Sequence, residues 1–476
     1  MRLGDLFAPV PGAEAVEITA LALDHREVGP GTAFFCVRGL TRDGHDFAPD
    51  AVAAGASALV VDHPLGLGVP EVVVSDVRAA MAPAAARLAG DPTATLAMAG
   101  ITGTAGKTTT AYLTAALLAA DPSRPGCGLV GTVATRIGGV ETEAVRTTPE
   151  AIALQRTFRA MLDAGDTACV MEVSSHALAL HRADAIHWRV AAFTNLGHDH
   201  MDFHTDQEDY FQAKRRLFTA AAASGAFLIA CTDDPFGRRL AGEFPGVLRV
   251  GLDDGADLRA TALRPALTRT TFDAGGRTYT VPLPGRFNVQ NALVAIAIAR
   301  ALGVPDADIA ARLERAPGVP GRFEPVDRGQ GFGVLVDYAH KPEAVREALR
   351  AARAIAGEHR VLCVIGAGGD RDAAKRPLMA RAAADTADLV VLTSDNPRSE
   401  DPEAIIDAMA TGAPQARRIS DRREAIGWAV GEARDGDVVL IAGKGHETYQ
   451  ELAGGRREPF DDREVAREAL DARLGR

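Results

Sequence analysis

The chain has 476 residues, of which 47% are hydrophobic, so we expect two to four domains that each bury a core. Its formal net charge of -11 argues against a nucleic-acid backbone as the main partner, and we expect neither a signal peptide nor a membrane span. The five cysteines are scattered, without the spacing of a metal site or a disulfide framework, which predicts a reducing, cytoplasmic setting.

The N-terminal region, residues 1–92, has the pattern of a small α/β domain. Short apolar runs at 33–37, 58–61 and 71–74 predict strands, and the alanine-rich segments between them predict helices. The connecting loops contain the polar segments 24–26 and 43–47. Taken alone, these two segments indicate solvated turns.

A phosphate-binding turn is predicted at the start of the second region, residues 93–316. The apolar run 95–101 predicts a strand, and the segment 107–120, rich in alanine and leucine, predicts a helix. A strand, a glycine turn and a helix in this order form a cradle whose backbone N–H groups and helix N-terminus attract an anion. Lys107 adds a full positive charge, and the hydroxyl of Thr108 would contact a Mg²⁺ ion that also holds phosphate oxygens.

This turn departs from the usual P-loop pattern, because Ile101 stands where the first glycine should fall. The glycines nearby are instead Gly100 and Gly103. A plain glycine turn beside a surface lysine is the alternative, but the strand before it and the helix after it favour nucleotide binding. We interpret the turn as an ATP site on a mostly parallel sheet, where ligands collect at the carboxyl ends of the strands.

Glu172 lies in the apolar run 168–173, where a carboxylate is costly unless it is paired or binds a metal. Because Mg²⁺ prefers oxygen ligands and accompanies phosphates, Glu172 and Thr108 are a candidate pair of ligands. The alternative is a carboxylate that enters a hydrogen-bond network at the end of a strand.

The loop 195–204 contains three histidines and two aspartates. Zinc is the first alternative, but neither a cysteine nor a helical histidine spacing supports a closed zinc site. A polar loop at a strand end, with one or two members on an ion, fits better. Lys214, on the predicted helix 208–218, is expected by default to be a solvated surface lysine.

Two features precede the third region. In the segment 284–291 a turn precedes an apolar helix, and Asn291 either caps that helix, which is the commoner role, or contacts a base. The segment 317–321, rich in proline and glycine, predicts a linker to a third α/β region, residues 317–476. Arg322 directly follows the linker and is a candidate phosphate contact, and Asp337 is among the polar groups at the end of the strand 334–340.

The third region contains a glycine-rich segment, 366–369, after an apolar strand. It does not match a dinucleotide fingerprint, because Arg371 occupies the place of the third glycine, and we exclude NAD binding. Arg371 and Arg398 suit bidentate capture of a substrate carboxylate. Glu447, after the strand 438–442, offers a carboxylate for an amino group.

With these motifs in this order, the chain resembles the Mur ligases over nearly its whole length. Within that family it is most similar to the diaminopimelate-adding tripeptide synthetases. The stretches that carry the resemblance are 103–109, 147–150, 171–176, 195–202, 213–214, 287–291, 337–340, 368–377, 395–398 and 443–447. Each is weak alone, and together they are specific.

The resemblance implies an α/β fold of three domains: a UDP-sugar-binding domain over 1–92, a P-loop domain with a mostly parallel sheet over 93–316, and a Rossmann-like, amino-acid-binding domain over 317–476. It implies an ATP-dependent ligase of peptidoglycan precursor synthesis that uses Mg²⁺. A D-glutamate carboxylate of UDP-N-acetylmuramoyl-L-alanyl-D-glutamate would take the γ-phosphoryl group, and the amine of meso-diaminopimelate would displace phosphate. We expect a monomer that acts on small molecules and binds no nucleic acid.

The resemblance also implies residue roles. The catalytic residues would be Lys107, Glu172, His200 and Lys214. The metal ligands would be Thr108, Glu172, His200 and Lys214, the lysine after carbamylation by CO₂. ATP would be bound by Gly103, Thr104, Ala105, Gly106, Lys107, Thr108, Thr109, Asn291, Arg322 and Asp337. The UDP-sugar peptide would be bound by His25, Thr147, Thr148, Ser174, Leu180 and Arg182. Diaminopimelate would be bound by Arg371, Asp395, Asn396, Pro397, Arg398, Gly443 and Glu447.

The chain departs from the family pattern at several positions. His25 stands where many members have serine near the uracil, and Leu180 where some have glutamine. Ala105 stands where asparagine is frequent, and Lys341 where threonine is usual. The ATP and metal residues therefore follow the pattern more closely than the uridine pocket does.

Three alternatives stay open from the sequence. A paralogue on the same scaffold would join a different carboxylate and amine. A folylpolyglutamate synthetase would share the ATP loop but lack the N-terminal domain and the segment 395–398. A P-loop switch or transport ATPase would need neither Arg398 nor Glu447, and its ATP hydrolysis would not depend on an added amino acid.

Overall fold

Buried strands alternate with alanine-rich helices throughout the computed structural model, which describes residues 1–7, 12–39, 42–119 and 126–476. The chain divides into two units. The first comprises Met1–Asp257 and Val294–Pro305, and the second comprises Leu258–Leu293 and Asp306–Arg476. Within the described ranges, no helix is both long enough and apolar enough to cross a bilayer.

The first unit begins with a parallel sheet. Its strands, which pair in chain order, are β1 (Ala20–Ala22), β2 (Thr32–Phe35), β3 (Ala58–Val61) and β4 (Glu71–Val73). The helices of this part are α1 (Leu3–Leu6), α2 (Ala48–Ala53) and α3 (Val77–Leu88). The three predicted strands are confirmed to within two residues at each end, and β1 is an additional one.

A larger, mostly parallel sheet completes the first unit. Its strands are β5 (Ala97–Thr102), β6 (Cys127–Val130), β7 (Ala134–Ile137), β8 (Val140–Glu143), β9 (Ala168–Glu172), β10 (Trp188–Phe193), β11 (Phe227–Cys231) and β12 (Leu248–Gly251). They pair in the order β12-β11-β10-β5-β9-β6-β7-β8, and the pairs β6–β7 and β7–β8 are antiparallel. The accompanying helices are α4 (Lys107–Leu118), α5 (Ala151–Asp163), α6 (Ser175–Ala179), α7 (Gln207–Ala223) and α8 (Pro235–Glu243).

The inner position of β5 explains its sequence. It lies between β10 and β9, and a side chain at Gly100 would come within 2.7 Å of the Trp188 ring. The strand begins at Ala97 rather than at residue 95, because Pro92–Ala94 form a 3₁₀ turn just before it. The predicted helix 107–120 is confirmed as far as Leu118, and residue 120 lies outside the described residues.

The second unit opens with the antiparallel strands β13 (Leu258–Pro265), β14 (Thr270–Ala274) and β15 (Arg277–Val281). Two helices follow, α9 (Arg286–Ala301), which the division into units splits after Leu293, and α10 (Asp306–Glu314).

The main sheet of the second unit is parallel apart from its edge strand β16. Its strands are β16 (Glu324–Pro325), β17 (Gly333–Asp337), β18 (Val361–Ala367), β19 (Leu389–Ser394), β20 (Arg417–Arg418) and β21 (Val438–Ala442), paired in the order β16-β17-β21-β18-β19-β20. Its helices are α11 (Pro342–Ala356), α12 (Lys375–Ala384), α13 (Pro402–Ala410), α14 (Arg422–Glu432) and α15 (Asp462–Leu474). A hairpin of β22 (Tyr449–Glu451) and β23 (Arg457–Pro459) precedes α15.

Both faces of this sheet are buried, which explains the continuous apolar runs in its strands. Cys363 and Ile365 of β18 pack into one hydrophobic cluster, and Leu362 and Val364 pack into a cluster on the opposite face. Polar side chains are consequently displaced to the carboxyl ends of the strands. The predicted α/β class with mostly parallel sheets is confirmed, and the proposed domain boundaries at residues 92 and 316 stay predictions.

Candidate active site

The predicted phosphate turn connects β5 to α4 in a conformation that requires glycine. Gly103 has φ of 149°, and a Cβ there would lie 1.9 Å from Thr194 Oγ1. Gly106 has φ of 82°, in the left-handed region, directly before α4 begins at Lys107. At Gly103 the backbone therefore lies closer to Thr194, which follows β10, than a residue with a side chain could.

The segment after β10 holds this turn in place through Asn195. The backbone N–H of Thr104 donates to the Asn195 carbonyl at 2.9 Å, and the Ala105 N–H donates to Asn195 Oδ1 at 2.9 Å. The amide nitrogen of Asn195 donates back to the Ala105 carbonyl at 3.1 Å. The sequence analysis included Asn195 in the polar loop 195–204 but did not predict that it holds the phosphate turn. The sequence feature that indicates this role is the position of Asn195 just after β10, the strand that pairs with β5.

Two lysines converge on one carbonyl oxygen of the turn. The Nζ atoms of Lys107 and Lys214 each donate to Gly103 O at 2.8 Å, and Lys107 also donates to Thr104 O at 2.9 Å. Lys214 is only 1% exposed, so the default expectation of a solvated lysine is wrong. Burial, and then the nearby charge of Lys107, lower the pKa of Lys214 well below its usual range. Lys214 therefore loses its proton more readily than a solvated lysine does.

Glu172 and Thr108 are in direct contact, through the kind of hydrogen-bond network that the sequence left open as the alternative to a metal pair. Thr108 Oγ1 donates to Glu172 Oε2 at 2.9 Å, and Thr132 donates to both carboxylate oxygens, through its N–H at 2.8 Å and its hydroxyl at 3.1 Å. Glu172 is 1% exposed, and no basic side chain among the described residues forms an ion pair with it. A buried carboxylate with hydroxyl neighbours and no counter-ion is a donor set that fits Mg²⁺.

His200 is linked to Lys214 and to the phosphate turn through Tyr210. The Tyr210 ring centroid is 6.0 Å from that of His200 and 4.4 Å from Lys214 Nζ. The Tyr210 hydroxyl is 3.1 Å from Thr104 Oγ1, so the same ring also contacts the phosphate turn. His200 has φ of 57°, which turns the chain sharply at this point of the loop.

Most of the residues predicted for the UDP-sugar peptide gather around the end of β9. Thr148 Oγ1 donates to the Glu172 carbonyl at 2.8 Å and accepts the Ser174 N–H at 3.2 Å. Arg182 donates to the Thr148 carbonyl at 3.2 Å, while the Thr147 hydroxyl is 3.1 Å from that of Thr132.

The other two members of that predicted set also belong to the first unit. Leu180 directly follows α6. His25 lies in the 3₁₀ turn after β1, where its ring stacks on Phe47 with centroids 4.8 Å apart.

The candidate nucleotide contacts of the second unit have varied surroundings. Asn291 lies inside α9, which begins at Arg286, so the capping interpretation is wrong; its amide donates to Asn288 Oδ1 at 3.2 Å. The Arg322 guanidinium lies 4.7 Å from the Tyr338 ring centroid, and its buried Nε has no hydrogen-bond partner. Asp337 accepts two backbone N–H bonds, and burial raises its pKa.

A cavity of about 310 Å³ opens at the carboxyl ends of the strands in the second unit. Six of the seven residues predicted to bind the amino acid line it; the lining set does not include Pro397. The charged side chains of the lining are Arg371, Lys375, Asp395, Arg398 and Glu447. A pocket with cations and carboxylates on its walls suits a ligand that carries both carboxylates and amino groups.

Lys444 is a buried cation in this site that sequence reasoning missed. It is fully buried, and its Nζ donates to Asn396 Oδ1 at 2.8 Å and to Glu447 Oε2 at 3.2 Å. Asn396 Nδ2 donates to the same Glu447 oxygen at 2.8 Å, so Lys444 joins the segments that follow β19 and β21. The sequence signal that identifies Lys444 is its position between two glycines, just after the buried strand β21 ends at Ala442.

A second buried cation, Arg422, ties the same two strand ends together. Its guanidinium donates to Ser394 O at 3.2 Å, to Ala442 O at 3.0 Å and to Asp462 with two bonds of 2.7 Å. Both charged side chains are fully buried. The pair therefore holds together the two segments that carry the amino-acid site.

Removing one partner of this pair should destabilise the second unit strongly. We expect Asp462→Ala to lower its free energy of unfolding by about 3–5 kcal/mol, because it leaves a buried guanidinium unpaired. Urea unfolding followed by Trp428 fluorescence in a Trp188→Phe background measures this. Glu464→Ala, on the exposed face of α15, is the control and should cost less than about 1 kcal/mol. Equal unfolding curves for the two variants would contradict the role of the pair.

Comparison with known protein families finds matches to three successive segments of the chain. Models described as "Mur ligase family, catalytic domain", "Mur ligase middle domain" and "Mur ligase, glutamate ligase domain" match residues 17–90, 101–299 and 321–445. The fold class and the order of the three matched domains are therefore those predicted.

Relatives match over the full length. The chain is 43% identical to the UDP-N-acetylmuramoyl-L-alanyl-D-glutamate–2,6-diaminopimelate ligase of Bacillus licheniformis, with 96% of each chain covered. It is 44% identical to the ligase of the same name from Streptomyces coelicolor, covering 100% of this chain and 96% of the relative. A solved structure of a ligase with that name is 32% identical and superposes with a TM-score of 0.73, covering 100% of this chain and 99% of the other. The chain belongs to the Mur ligase family.

Proposed function

We propose that the protein is an ATP-dependent amide ligase that adds meso-diaminopimelate to UDP-N-acetylmuramoyl-L-alanyl-D-glutamate, in peptidoglycan precursor synthesis. The observation that carries the proposal is the cavity of the second unit, where Arg371 and Arg398 share the walls with Asp395 and Glu447. Diaminopimelate, with two carboxylates and two amino groups, matches this set of charges. The names of the full-length relatives support the same substrates.

The first half of the proposed reaction is phosphoryl transfer at the turn between β5 and α4. A D-glutamate carboxylate oxygen attacks the γ-phosphorus of ATP, the bond to the bridging oxygen breaks, and ADP leaves. Lys107 and the backbone N–H groups at the start of α4 stabilise the charge that develops on the phosphoryl oxygens. To do so, Lys107 exchanges its hydrogen bonds to Gly103 O and Thr104 O for bonds to phosphate. ATP would be held by residues 103–109 and, in the second unit, by Asn291, Arg322 and Asp337.

A Mg²⁺ ion would be held by Thr108, Glu172, His200 and carbamylated Lys214. When bound, the ion supplies positive charge that neutralises the phosphate oxygens. The uncharged amine is the form of a lysine that adds to CO₂, giving a carbamate and releasing a proton, and the lowered pKa of Lys214 favours that reaction. The carbamate is a carboxylate-like group, which would make Lys214 an oxygen donor for the ion.

The second half of the proposed reaction is amide formation. The amine of diaminopimelate attacks the carbonyl carbon of the acyl phosphate, and inorganic phosphate leaves with the carboxylate oxygen. Arg371 and Arg398 would hold a carboxylate of the incoming amino acid, with Asp395, Asn396, Pro397, Gly443 and Glu447 completing the site. Lys444 keeps Glu447 and Asn396 in fixed positions, so this part of the pocket is formed before the ligand arrives.

The rest of the assignment follows the same proposal. The UDP-sugar peptide would be held in the first unit by His25, Thr147, Thr148, Ser174, Leu180 and Arg182. Because ATP and UDP-activated precursors are cytoplasmic, we expect the protein to act there, as a monomer. A P-loop switch would leave the charged cavity of the second unit without a use.

Replacing Arg398 should weaken binding of the amino acid selectively. We expect Arg398→Ala to raise KM for diaminopimelate about 10- to 100-fold, the range for a lost charge-assisted hydrogen bond, and to change KM for ATP less than twofold. Initial rates at varied concentrations of each substrate measure the two constants. Arg418→Ala, which removes an exposed arginine paired with Asp407, is the control and should change neither. Equal increases in both constants would contradict the amino-acid site.

A phosphate-release screen tests the proposed substrate pair. Purified protein is mixed with ATP, Mg²⁺ and the UDP-muramyl dipeptide, and candidate amino acids are added one at a time. We expect meso-diaminopimelate to give the fastest release, with lysine much slower because it lacks the distal carboxylate. Fast release with another amine alone would identify a paralogue with a different acceptor.

A further inference from the structure

Two histidines and an aspartate come together beside the N-terminal sheet, and none of them has a role assigned above. His45 lies in the 3₁₀ turn Gly44–Phe47, between β2 and α2, and Asp62 and His63 directly follow β3. Because β2 and β3 are adjacent parallel strands, the two segments leave the sheet at the same edge. One ligand atom from each of the three side chains lies within 4.8 Å of the other two.

The contacts of the buried His45 leave one of its ring nitrogens able to act as a ligand. Its Nδ1 donates to Asp43 Oδ1 at 2.6 Å, and its Nε2 accepts the Asp62 N–H at 3.4 Å. These two contacts favour the neutral tautomer with the proton on Nδ1, so the lone pair of Nε2 is directed towards Asp62. A histidine whose other ring nitrogen donates to a carboxylate is the usual arrangement at metal sites.

The side chain of Asp62 places a carboxylate oxygen beside that nitrogen. Asp62 Oδ1 lies 3.3 Å from His45 Nε2 and also contacts His63 Nδ1. A lone pair and a carboxylate oxygen at this distance repel each other unless a cation or a proton lies between them. Ligand atoms that bind a tetrahedral zinc ion at about 2.1 Å are about 3.4 Å apart, so the spacing is that of two ligands of one ion.

His63 closes the cluster on its solvent side. Its ring stacks on that of His45 with centroids 4.8 Å apart. His63 is exposed whereas His45 is buried, so an ion from solution reaches the cluster past the His63 ring.

The charges around the cluster favour a cation. Arg38 Nε lies 3.1 Å from Asp62 Oδ2 and 3.4 Å from Asp43 Oδ2, so it binds the second oxygen of each carboxylate. The first oxygen of each carboxylate faces the histidines. Two carboxylates and one guanidinium leave one negative charge uncompensated when both imidazoles are neutral.

We propose that His45, Asp62 and His63 bind a divalent transition-metal ion of the zinc class. Asp43 is a positioning residue that orients the ring of His45. Imidazole ligands select such an ion over Mg²⁺, which prefers oxygen ligands, and three protein ligands leave a fourth position for water. The site goes beyond the proposed function, because its ligands are not among the residues assigned to ATP, the UDP-sugar peptide or diaminopimelate. The bound ion joins the turn before α2 to the end of β3.

Cobalt absorption spectra test the proposal on the full-length protein, purified without a histidine tag. Co²⁺ is added in steps in a buffer with millimolar Mg²⁺, which competes for the oxygen-rich sites, and Zn²⁺ is then added as a competitor. We expect the parent to bind one more equivalent of Co²⁺ than His63→Ala, with visible absorption bands that Zn²⁺ abolishes. Asp43→Asn should weaken this binding about 10- to 100-fold, the usual cost of losing the carboxylate behind a metal-binding histidine.

His187→Ala is the matched control, because His187 is also an exposed histidine of the first unit and lies 3.1 Å from a carboxylate oxygen of Asp91. It should bind Co²⁺ as the parent does. Unchanged melting temperatures in metal-free buffer verify that each variant folds. The inference is overturned if His63→Ala binds as much Co²⁺ as the parent, or if His187→Ala loses the same equivalent. The cluster would then be a set of hydrogen-bonded ion pairs with a proton between His45 and Asp62.

Discussion

Replacing Lys107 by alanine should lower kcat about 10²- to 10³-fold, the cost of removing one group that stabilises developing charge in a transition state. The physical reason is specific to phosphoryl transfer, in which positioning and charge neutralisation supply nearly all of the catalysis. In the structure, Lys107 Nζ lies within 2.9 Å of two carbonyl oxygens of the phosphate turn, so it is already positioned at the anion site.

The Lys107→Ala measurement needs two controls. The melting temperature should stay close to that of the parent protein, because Lys107 lies at the start of α4 and its ammonium is not part of a hydrophobic core. Binding of the UDP-muramyl dipeptide, measured by calorimetry, should also be unchanged. Normal turnover in this variant would remove the assignment of the turn between β5 and α4 as the ATP site.

Replacing Lys214 should have an effect of similar size, by a different mechanism. We expect Lys214→Ala to lose about 10²- to 10³-fold in kcat, because a carbamate that helps to neutralise phosphate charge is gone. Lys214→Arg should be equally inactive, since a guanidinium keeps the positive charge but cannot form the carbamate.

Chemical rescue separates this explanation from simple loss of packing. We expect Lys214→Ala to leave a space next to Gly103 O. A short carboxylate such as propanoate should enter this space and replace the two oxygens of the lost carbamate. We expect millimolar propanoate to restore part of the activity of Lys214→Ala and to leave Lys107→Ala inactive. Mass spectrometry that finds only the unmodified amine in fully active parent protein would refute carbamylation.

The phosphate turn was predictable because its signals are local. The apolar run before it, the glycines within it and the helix-forming segment after it each have a meaning that depends on a few neighbouring residues. The structure accordingly agrees to within two residues at the described ends of β5 and α4. The closeness of Glu172 and Thr108 was predictable for a related reason, since adjacent parallel strands bring their carboxyl ends to one edge of the sheet.

Other features depend on tertiary contacts that the sequence does not display. Lys214 resembles any lysine on an amphipathic helix, and only the packing of α7 against the phosphate turn buries it. Asn291 was misinterpreted because the helix begins at Arg286, earlier than the apolar pattern indicates. Lys444 and the Arg422–Asp462 pair join segments that are far apart in the chain, so no local pattern identifies the distant partners of either.

The central claim is that ATP activates a carboxylate by transferring its γ-phosphoryl group to a carboxylate oxygen. The most direct measurement uses UDP-muramyl dipeptide with ¹⁸O in the glutamate carboxylate and records the mass of the phosphate released during turnover with diaminopimelate. The account predicts that each phosphate carries one ¹⁸O atom from the dipeptide. Phosphate that contains no label from the dipeptide, with its added oxygen derived from water instead, would contradict it.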